Sequence, residues 1–134
     1  MNKLPYKLLF LIGCFLMIAQ TSYSQQQILF AIDMQQEIAS GEFQPADDAV
    51  YLTGNQAPLS DINSIKMEDS SPVDSIYVAN VDFPPSANGQ TLKYNFVIVK
   101  DGDRKQEDRP RVLKIQGNQA NRRLDLAYFN SFAQ

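Results

Sequence analysis

The side chains able to do chemistry in this sequence are mainly carboxylates, because it contains no histidine and a single cysteine, Cys14. The lack of histidine removes the usual general base near neutral pH and the commonest metal ligand. With no histidine and only one cysteine, the sequence cannot supply the ligands of a structural zinc site. Adjacent acids occur at Asp47-Asp48 and Glu68-Asp69, in predicted loops. Glycosidases instead need two carboxyls that face each other across a cleft. The sequence therefore predicts a protein that is not an enzyme and needs no cofactor.

Two charged segments are predicted to be solvated surface. Residues 100–108 combine several acids with Arg104 and Lys105. Clustered oxygen ligands can bind calcium, but the two positive charges oppose a dication. A solvated hairpin tip is therefore the favoured interpretation, and a calcium site is the alternative. Arg122-Arg123 is interpreted as surface charge, with contact to an anionic partner as the alternative.

Residues 1–24 have the features of a secretory signal peptide. Two lysines precede an uncharged apolar run over residues 8–19, and a short polar stretch follows it. Small residues at Ser22 and Ser24 suit a signal peptidase, which places the cleavage before Gln25. The sequence therefore predicts a protein that is secreted or periplasmic.

A membrane anchor and a lipid attachment site are the alternative interpretations of this N-terminal segment. A membrane anchor is disfavoured, because the apolar run is shorter than the roughly 17–25 residues that a span needs. Lipid attachment at Cys14 is suggested by residues 11–14, which look like a lipobox. The apolar run continues over residues 15–18, where a lipidated mature N-terminus would turn polar. Signal cleavage remains the favoured prediction, and lipid anchoring is the minor alternative.

Residues 25–134 are predicted to form one domain whose stability comes from core burial. The full chain has a net charge of −3, and removal of residues 1–24 takes away two lysines and no acid. An acidic domain repels nucleic acid and anionic lipid, so neither is expected as a partner. The only cysteine leaves with the signal peptide, which excludes a disulfide framework.

Alternating apolar residues between turn signals predict an all-β fold with about seven short strands. A single helical turn is expected over residues 35–41, with Phe43 folding back onto the core, and Asp101-Gly102 is a hairpin signal. In the strongest strand, Lys93 and Asn95 are expected to face solvent. Two antiparallel sheets packed face to face are the favoured architecture, and an open barrel is the alternative. The main predicted strands cover residues 27–34, 50–54, 75–83, 91–99, 111–115 and 124–129.

Four stretches of the chain resemble the starch-binding-type carbohydrate-binding modules. Residues 50–59 end a strand in Gly-Asn before a leucine, residues 92–98 resemble the Tyr-Lys-Phe-Val strand, and residues 107–113 resemble the later Glu…Arg-x-Leu segment. Residues 30–48 resemble versions of the module in secreted bacterial proteins. The resemblance implies an immunoglobulin-like antiparallel β-sandwich over the mature chain.

The resemblance also implies candidate residues for glycan binding. Modules of this type hold a glucan by stacking sugar rings on two exposed tryptophans, but this chain has no tryptophan. Ile62 stands at the first tryptophan position and Gln106 at the second. Asn55, Gln106 and Glu107 are the polar contacts that the resemblance implies.

Two other aromatic residues are candidates for a substitute platform. Tyr51 lies opposite the core-facing side of its strand, and Phe129 has the opposite parity to Leu124, Leu126 and Tyr128. This parity places both side chains on the outward side of their strands. Covering a strand or sheet edge is the favoured interpretation of both, and a sugar platform is the alternative. Two functions follow. The first is a secreted glycan-binding module whose partner is a polysaccharide such as an α-glucan, and the second is a structural or protein-interaction domain that binds an envelope protein.

Overall fold

The computed structural model describes residues 25–117 and 120–132, and the regular secondary structure of this part of the chain is almost entirely β. The predicted signal peptide and the lipidation alternative at Cys14 lie outside the described residues. No described helix has the length and apolar character to cross a membrane. The described elements are β1 (Gln26–Asp33), α1 (Gln35–Ser40), β2 (Ala49–Gly54), β3 (Ile65–Lys66), β4 (Ile76–Phe83), a 3₁₀ turn (Pro85–Ala87), β5 (Thr91–Lys100), β6 (Asp103–Gln106), β7 (Arg111–Lys114), β8 (Asn121–Arg123) and β9 (Ala127–Tyr128).

The strands form two sheets, which confirms the predicted sandwich. The back sheet has four strands, in which β1 lies between β4 and the two short strands β8 and β9. The front sheet has five strands, with β3 and β2 on one side of β5 and with β6 and β7 on the other. β1 pairs antiparallel with β4 but parallel with β8 and β9, a pairing that the sequence pattern does not predict. Parallel neighbours need a long crossover, and the intervening front sheet supplies it.

One hydrophobic core lies between the sheets, and the alternation of apolar residues produces it. β1 and β4 pair over eight residues each, and β2 pairs with β5 over six. Since successive side chains point to opposite faces, each strand gives every second side chain to the core. The fully buried members include Ile28, Phe30, Ile32, Val50, Leu52, Val81, Phe83, Leu92 and Phe96.

The short helix α1 positions Phe43 as a plug at one end of this core. The helix ends at Gly41, whose φ of 79° is the left-handed conformation that glycine adopts readily. The chain then turns back, and the Phe43 amide donates to the carbonyl of Glu37 at 3.1 Å. The Phe43 ring is 1% exposed and packs edge-on against Tyr77, with 5.4 Å between ring centroids. The predicted helical turn and the predicted plug are both confirmed.

The β5–β6 connection is the two-residue hairpin that Asp101-Gly102 predicts. Lys100 pairs with Asp103, so only these two residues lie in the turn. Their φ angles are 52° and 82°, and positive values at both central positions match the right-handed twist of a hairpin.

Two sequence-based orientations are wrong. Asn95 is 6% exposed rather than solvent-facing, because its side-chain amide donates to the carbonyl of Arg109 at 2.8 Å. Phe129 is 8% exposed and belongs to the core, whereas Tyr128 is 43% exposed. Strand β9 ends at Tyr128, and a turn with Asn130 at a φ of 56° follows it. The alternation that predicted an outward Phe129 therefore does not extend to this residue.

Replacing Phe43 with alanine is expected to lower the free energy of unfolding by about 3–5 kcal/mol, since a buried ring is lost and a cavity remains. Urea titration of the protein measures this change. The exposed neighbour Gln44→Ala is the control, with an expected change within about 0.5 kcal/mol. Equal stabilities of the two variants would contradict the assignment of Phe43 to the core.

Stability is also expected to fall at alkaline pH, partly through Tyr94. Burial raises the pKa of Tyr94 above its ordinary value, and the charge of Glu107 acts in the same direction against that of Arg111. The fold therefore favours the neutral phenol, and this contribution is present below a pH of about 10 and lost as the pH rises through the folded-state pKa. Tyr94→Phe removes this titration. Urea unfolding at pH 8 and pH 11 should show a smaller alkaline loss for the variant, and equal losses would contradict the assignment.

Candidate functional site

The outward side chains of the front sheet lie on one side of it, which is called the front face below. Strand pairing places them together, because residues directly opposite one another in a sheet point to the same side. Inward neighbours such as Leu52 and Phe96 belong to the core instead. The members of the front face are Ala49, Tyr51, Thr53, Lys66, Thr91, Lys93, Asn95, Val97, Val99, Arg104, Gln106, Val112 and Lys114.

The centre of the front face is a row of side chains that crosses four strands. Tyr51 lies opposite Lys66 on one side and Val97 on the other, and Val97 lies opposite Gln106. Val97 is 1% exposed, whereas Tyr51 is half-buried. The guanidinium of Arg104 lies 6.0 Å from the centroid of the Tyr51 ring, at the limit of a cation–π contact. Tyr51 therefore lies on the outward side of its strand, as its parity predicts, with a cation over its ring.

Two front-face side chains, Thr53 and Arg104, hold the loop over residues 55–64. The Thr53 hydroxyl donates to the carbonyl of Ser60 at 3.0 Å, and Arg104 donates to the Ser64 hydroxyl at 3.0 Å. Ile62 lies between these two attachments and is 93% exposed. Ile62 therefore presents an apolar side chain to solvent, with a first torsion that its β-branch restricts.

The amides of Asn55 and Gln106 lie at the protein surface, and each makes an internal hydrogen bond. The side-chain oxygen Oδ1 of Asn55 accepts from the backbone N–H of Lys93 at 2.8 Å, which holds the start of the 55–64 loop against β5. Gln106 donates from Nε2 to Oδ1 of Asn95 at 3.0 Å. Both side chains therefore bind to residues of β5, and each still has polar atoms at the surface.

Glu107 lies inside the protein, because its carboxylate is enclosed by four donors. Its side chain is 0% exposed. Oε1 accepts from the backbone N–H of Phe96 at 3.1 Å and from Nε of Arg111 at 3.0 Å. Oε2 accepts from Nη2 of Arg111 at 2.7 Å and from the backbone N–H of Asn130 at 3.0 Å. The carboxylate therefore has no exposed surface to offer a ligand.

Arg111 extends this network to the end of the described chain. Its Nη2 also donates to the carbonyls of Tyr128 and Ser131, at 2.8 and 3.0 Å. The ring of Phe132 lies 4.9 Å from the Arg111 guanidinium carbon and 4.3 Å from that of Arg109. Glu107, Arg111 and Asn130 are called the C-terminal clamp below. Sequence reasoning missed this role, because the pattern at residues 107–113 indicates a family motif and not the partner of the acid.

The structure thus places some of the predicted site residues at the surface and others in the interior. Tyr51, Ile62 and Gln106 lie on or beside the front face, with Asn55 at its margin, whereas Glu107 is in the clamp. Phe129 is in the core, where its ring cannot stack on a sugar. No residue of the described segments belongs to a group of three or more side chains suited to hold a metal ion.

Comparisons with known proteins support the fold and leave the ligand open. No protein-family model and no curated protein matches the chain. The chain is similar to part of the gamma-CGTase from alkalophilic Bacillus clarkii, with a TM-score of 0.58 and 20% identity over 80% of this chain and 15% of that chain. It is also similar to part of the glucoamylase of Hormoconis resinae, with a TM-score of 0.62 and 19% identity over 86% of this chain and 19% of that chain. The chain therefore spans less than a fifth of either enzyme. Its fold resembles domains of starch-degrading enzymes.

Replacing Glu107 with glutamine is expected to lower the free energy of unfolding by about 3 kcal/mol, because Arg111 loses its buried counter-charge. The exposed acid Glu68→Gln is the matched control, with an expected change within about 0.5 kcal/mol. Urea unfolding measures stability, and hydrogen exchange at the Asn130 amide reports directly on the clamp. Unchanged exchange at Asn130 in Glu107→Gln would contradict the clamp.

Proposed function

We propose that the chain is a non-catalytic glycan-binding domain and that its ligand, an α-glucan in the first instance, lies on the front face beside Tyr51 and Ile62. The observation that carries the proposal is the 93% exposure of Ile62 on a loop held by two side chains of that face. Ile62 stands at the position where the resemblance places a ligand-stacking tryptophan. The shared fold with regions of two starch-acting enzymes supports the same assignment.

The chemistry of the front face suits a saccharide. A pyranose ring has apolar faces that pack on flat or fixed apolar surfaces, and its hydroxyl groups require hydrogen-bond partners around them. Tyr51 and Ile62 supply the apolar surface. Arg104, Lys66 and Gln106 supply donors beside it. Since the chain has no tryptophan, the contact area is smaller than in the modules it resembles, and binding is expected to be weak.

The proposal assigns roles to both parts of the chain. Residues 1–24 direct export as a signal peptide, and residues 25–134 form the binding domain in a secreted or periplasmic protein. A binding role without catalysis fits a sequence that lacks histidine. Anchoring through a lipid on Cys14 is the minor alternative for its location.

A second candidate function is a protein-interaction domain of the cell envelope. The observation that favours it is a pair of exposed aliphatic side chains, with Ile62 at 93% and Val112, another front-face residue, at 64% exposure. Exposed apolar side chains that a protein partner covers lose water and gain packing contacts. The internal hydrogen bonds of Asn55 and Gln106 also leave these amides less available to sugar hydroxyls.

Substitutions at Ile62 and Tyr51 test the glycan proposal. Ile62→Trp restores a stacking ring and is expected to tighten binding to amylopectin by about tenfold, and Tyr51→Ala is expected to weaken it by a similar factor. Affinity electrophoresis in amylopectin gels measures both effects. Val73→Ser is the matched control, because Val73 is 81% exposed on another loop.

If the original protein and Ile62→Trp both migrate as a non-binding standard does, the α-glucan proposal is wrong. The protein-interaction candidate makes a different prediction. Ile62→Ser should then lose an envelope protein that the original chain captures, and the Val73→Ser control should retain it.

A further inference from the structure

The charged side chains of the front face are all cationic. They are Lys66 on β3, Lys93 on β5, Arg104 on β6 and Lys114 on β7, and no outward position of these strands or of β2 carries an acid. The whole chain has a net charge of −3 and a sequence pI near 4.8. The strand positions of the front face are therefore positively charged on an acidic protein, and one exposed acid, Asp61, lies on the adjoining 55–64 loop.

The back sheet does not share this pattern. Its outward charged residues include Asp33 on β1 and Asp82 on β4, together with Arg123 on β8. Both signs therefore occur on that face. The restriction to positive charge is therefore specific to the strands of the front face and is not a general property of the exposed strands.

Three of the front-face cations are free to meet an anionic ligand. Across the described residues, the side chains of Lys66, Lys93 and Lys114 form no ion pair, and none of them donates a hydrogen bond. Lys66 and Lys114 lie on outer strands, where a lysine also discourages strand-to-strand aggregation. Lys93 lies on the central strand β5, which has no open edge, so edge protection does not explain it.

The fourth cation is held in place next to the aromatic ring. Arg104 donates to the Ser64 hydroxyl at 3.0 Å, and its guanidinium lies beside the ring of Tyr51. Fixing this side chain in advance reduces the entropy that a ligand must overcome on binding. Guanidinium groups also bind carboxylates through two parallel hydrogen bonds.

We infer that the front face binds a polysaccharide that carries anionic groups, carboxylate or sulfate, rather than only a neutral glucan. The inference rests on the proposed function in taking the front face as the ligand surface. The strands that carry Lys66 and Arg104 lie three spacings apart, about 14 Å at the backbone. The Arg104 side chain reaches across this distance to Ser64, so its charge lies near Tyr51 and strand β3. A sugar chain that crosses Tyr51 therefore meets more than one cation. Exposed charges act weakly one at a time, so a polymer that meets several of them is favoured over a single anion.

The test compares two variants that lose equal charge. Lys66→Gln with Lys93→Gln removes two front-face cations, and Lys105→Gln with Arg123→Gln removes two cations that lie elsewhere. Affinity electrophoresis at low salt uses gels that contain polygalacturonate, dextran sulfate, poly-glutamate or amylopectin. The front-face variant is expected to bind polygalacturonate about tenfold more weakly than the control variant, which should stay within about twofold of the original protein. Raising the salt should weaken the binding of the original protein.

The outcomes separate this inference from the proposed function. Binding to polygalacturonate alone assigns carboxylates as the ligand groups, and equal binding to dextran sulfate assigns anionic sugars in general. Binding to amylopectin without binding to either anionic polysaccharide overturns the inference and leaves the proposed function standing. Binding to none of the three polysaccharides overturns both. Equal losses in the two variants, or poly-glutamate binding as tight as that of polygalacturonate, would also overturn the inference.

Discussion

The buried ion pair between Glu107 and Arg111 links the two sheets by charged hydrogen bonds, beside the hydrophobic core that lies between them. It joins the backbone of β5 in the front sheet to the segment that follows β9 in the back sheet. Leaving a buried charge without its partner would cost several kcal/mol of folding free energy. Separating the two side chains is therefore unfavourable. The same interaction removes Glu107 from the surface. An acid in a region that resembles a glycan-binding motif thus serves the scaffold and not the ligand.

The front face follows from this scaffold. With its inward side chains in the core and Asn95 and Val97 covered on the outward side, the middle of β5 is buried on both faces. What remains open lies around that centre, namely the Tyr51 ring, the Ile62 tip and the surrounding cations. The surface is therefore shallow and charged, which suits an extended ligand that makes many weak contacts rather than a small molecule that needs an enclosing pocket.

The regular parts of the fold could be predicted from the sequence, because local alternation and turn chemistry determine them. Alternating apolar residues in β1, β4 and β5 identify the core, and Asp101-Gly102 identifies the hairpin. The predictions that were wrong concern residues whose orientation depends on contacts outside their own strand. Asn95 is buried by a carbonyl 14 residues later, and Phe129 turns inward where its strand stops.

The surface positions of some candidate residues were predictable, whereas the chemistry around them was not. The positions of Ile62 and Gln106 followed from their place in the motifs, whereas the burial of Glu107 required its partner Arg111 and the returning C-terminal segment to be seen together. The cationic character of the front face has no signal in the linear sequence, because its four members are spread from Lys66 to Lys114. Only the pairing of the strands brings them to one side.

The assignment of the front face as the ligand surface is tested most directly by amide chemical shifts of isotopically labelled protein, recorded during titration with polygalacturonate and with amylopectin fragments. Shifts at Tyr51, Ile62, Lys93 and Arg104 are expected to saturate together, with Asn80 on the back sheet unchanged. Saturating shifts confined to the back sheet around Leu29 and Asn80, or no shifts with either ligand, would contradict it.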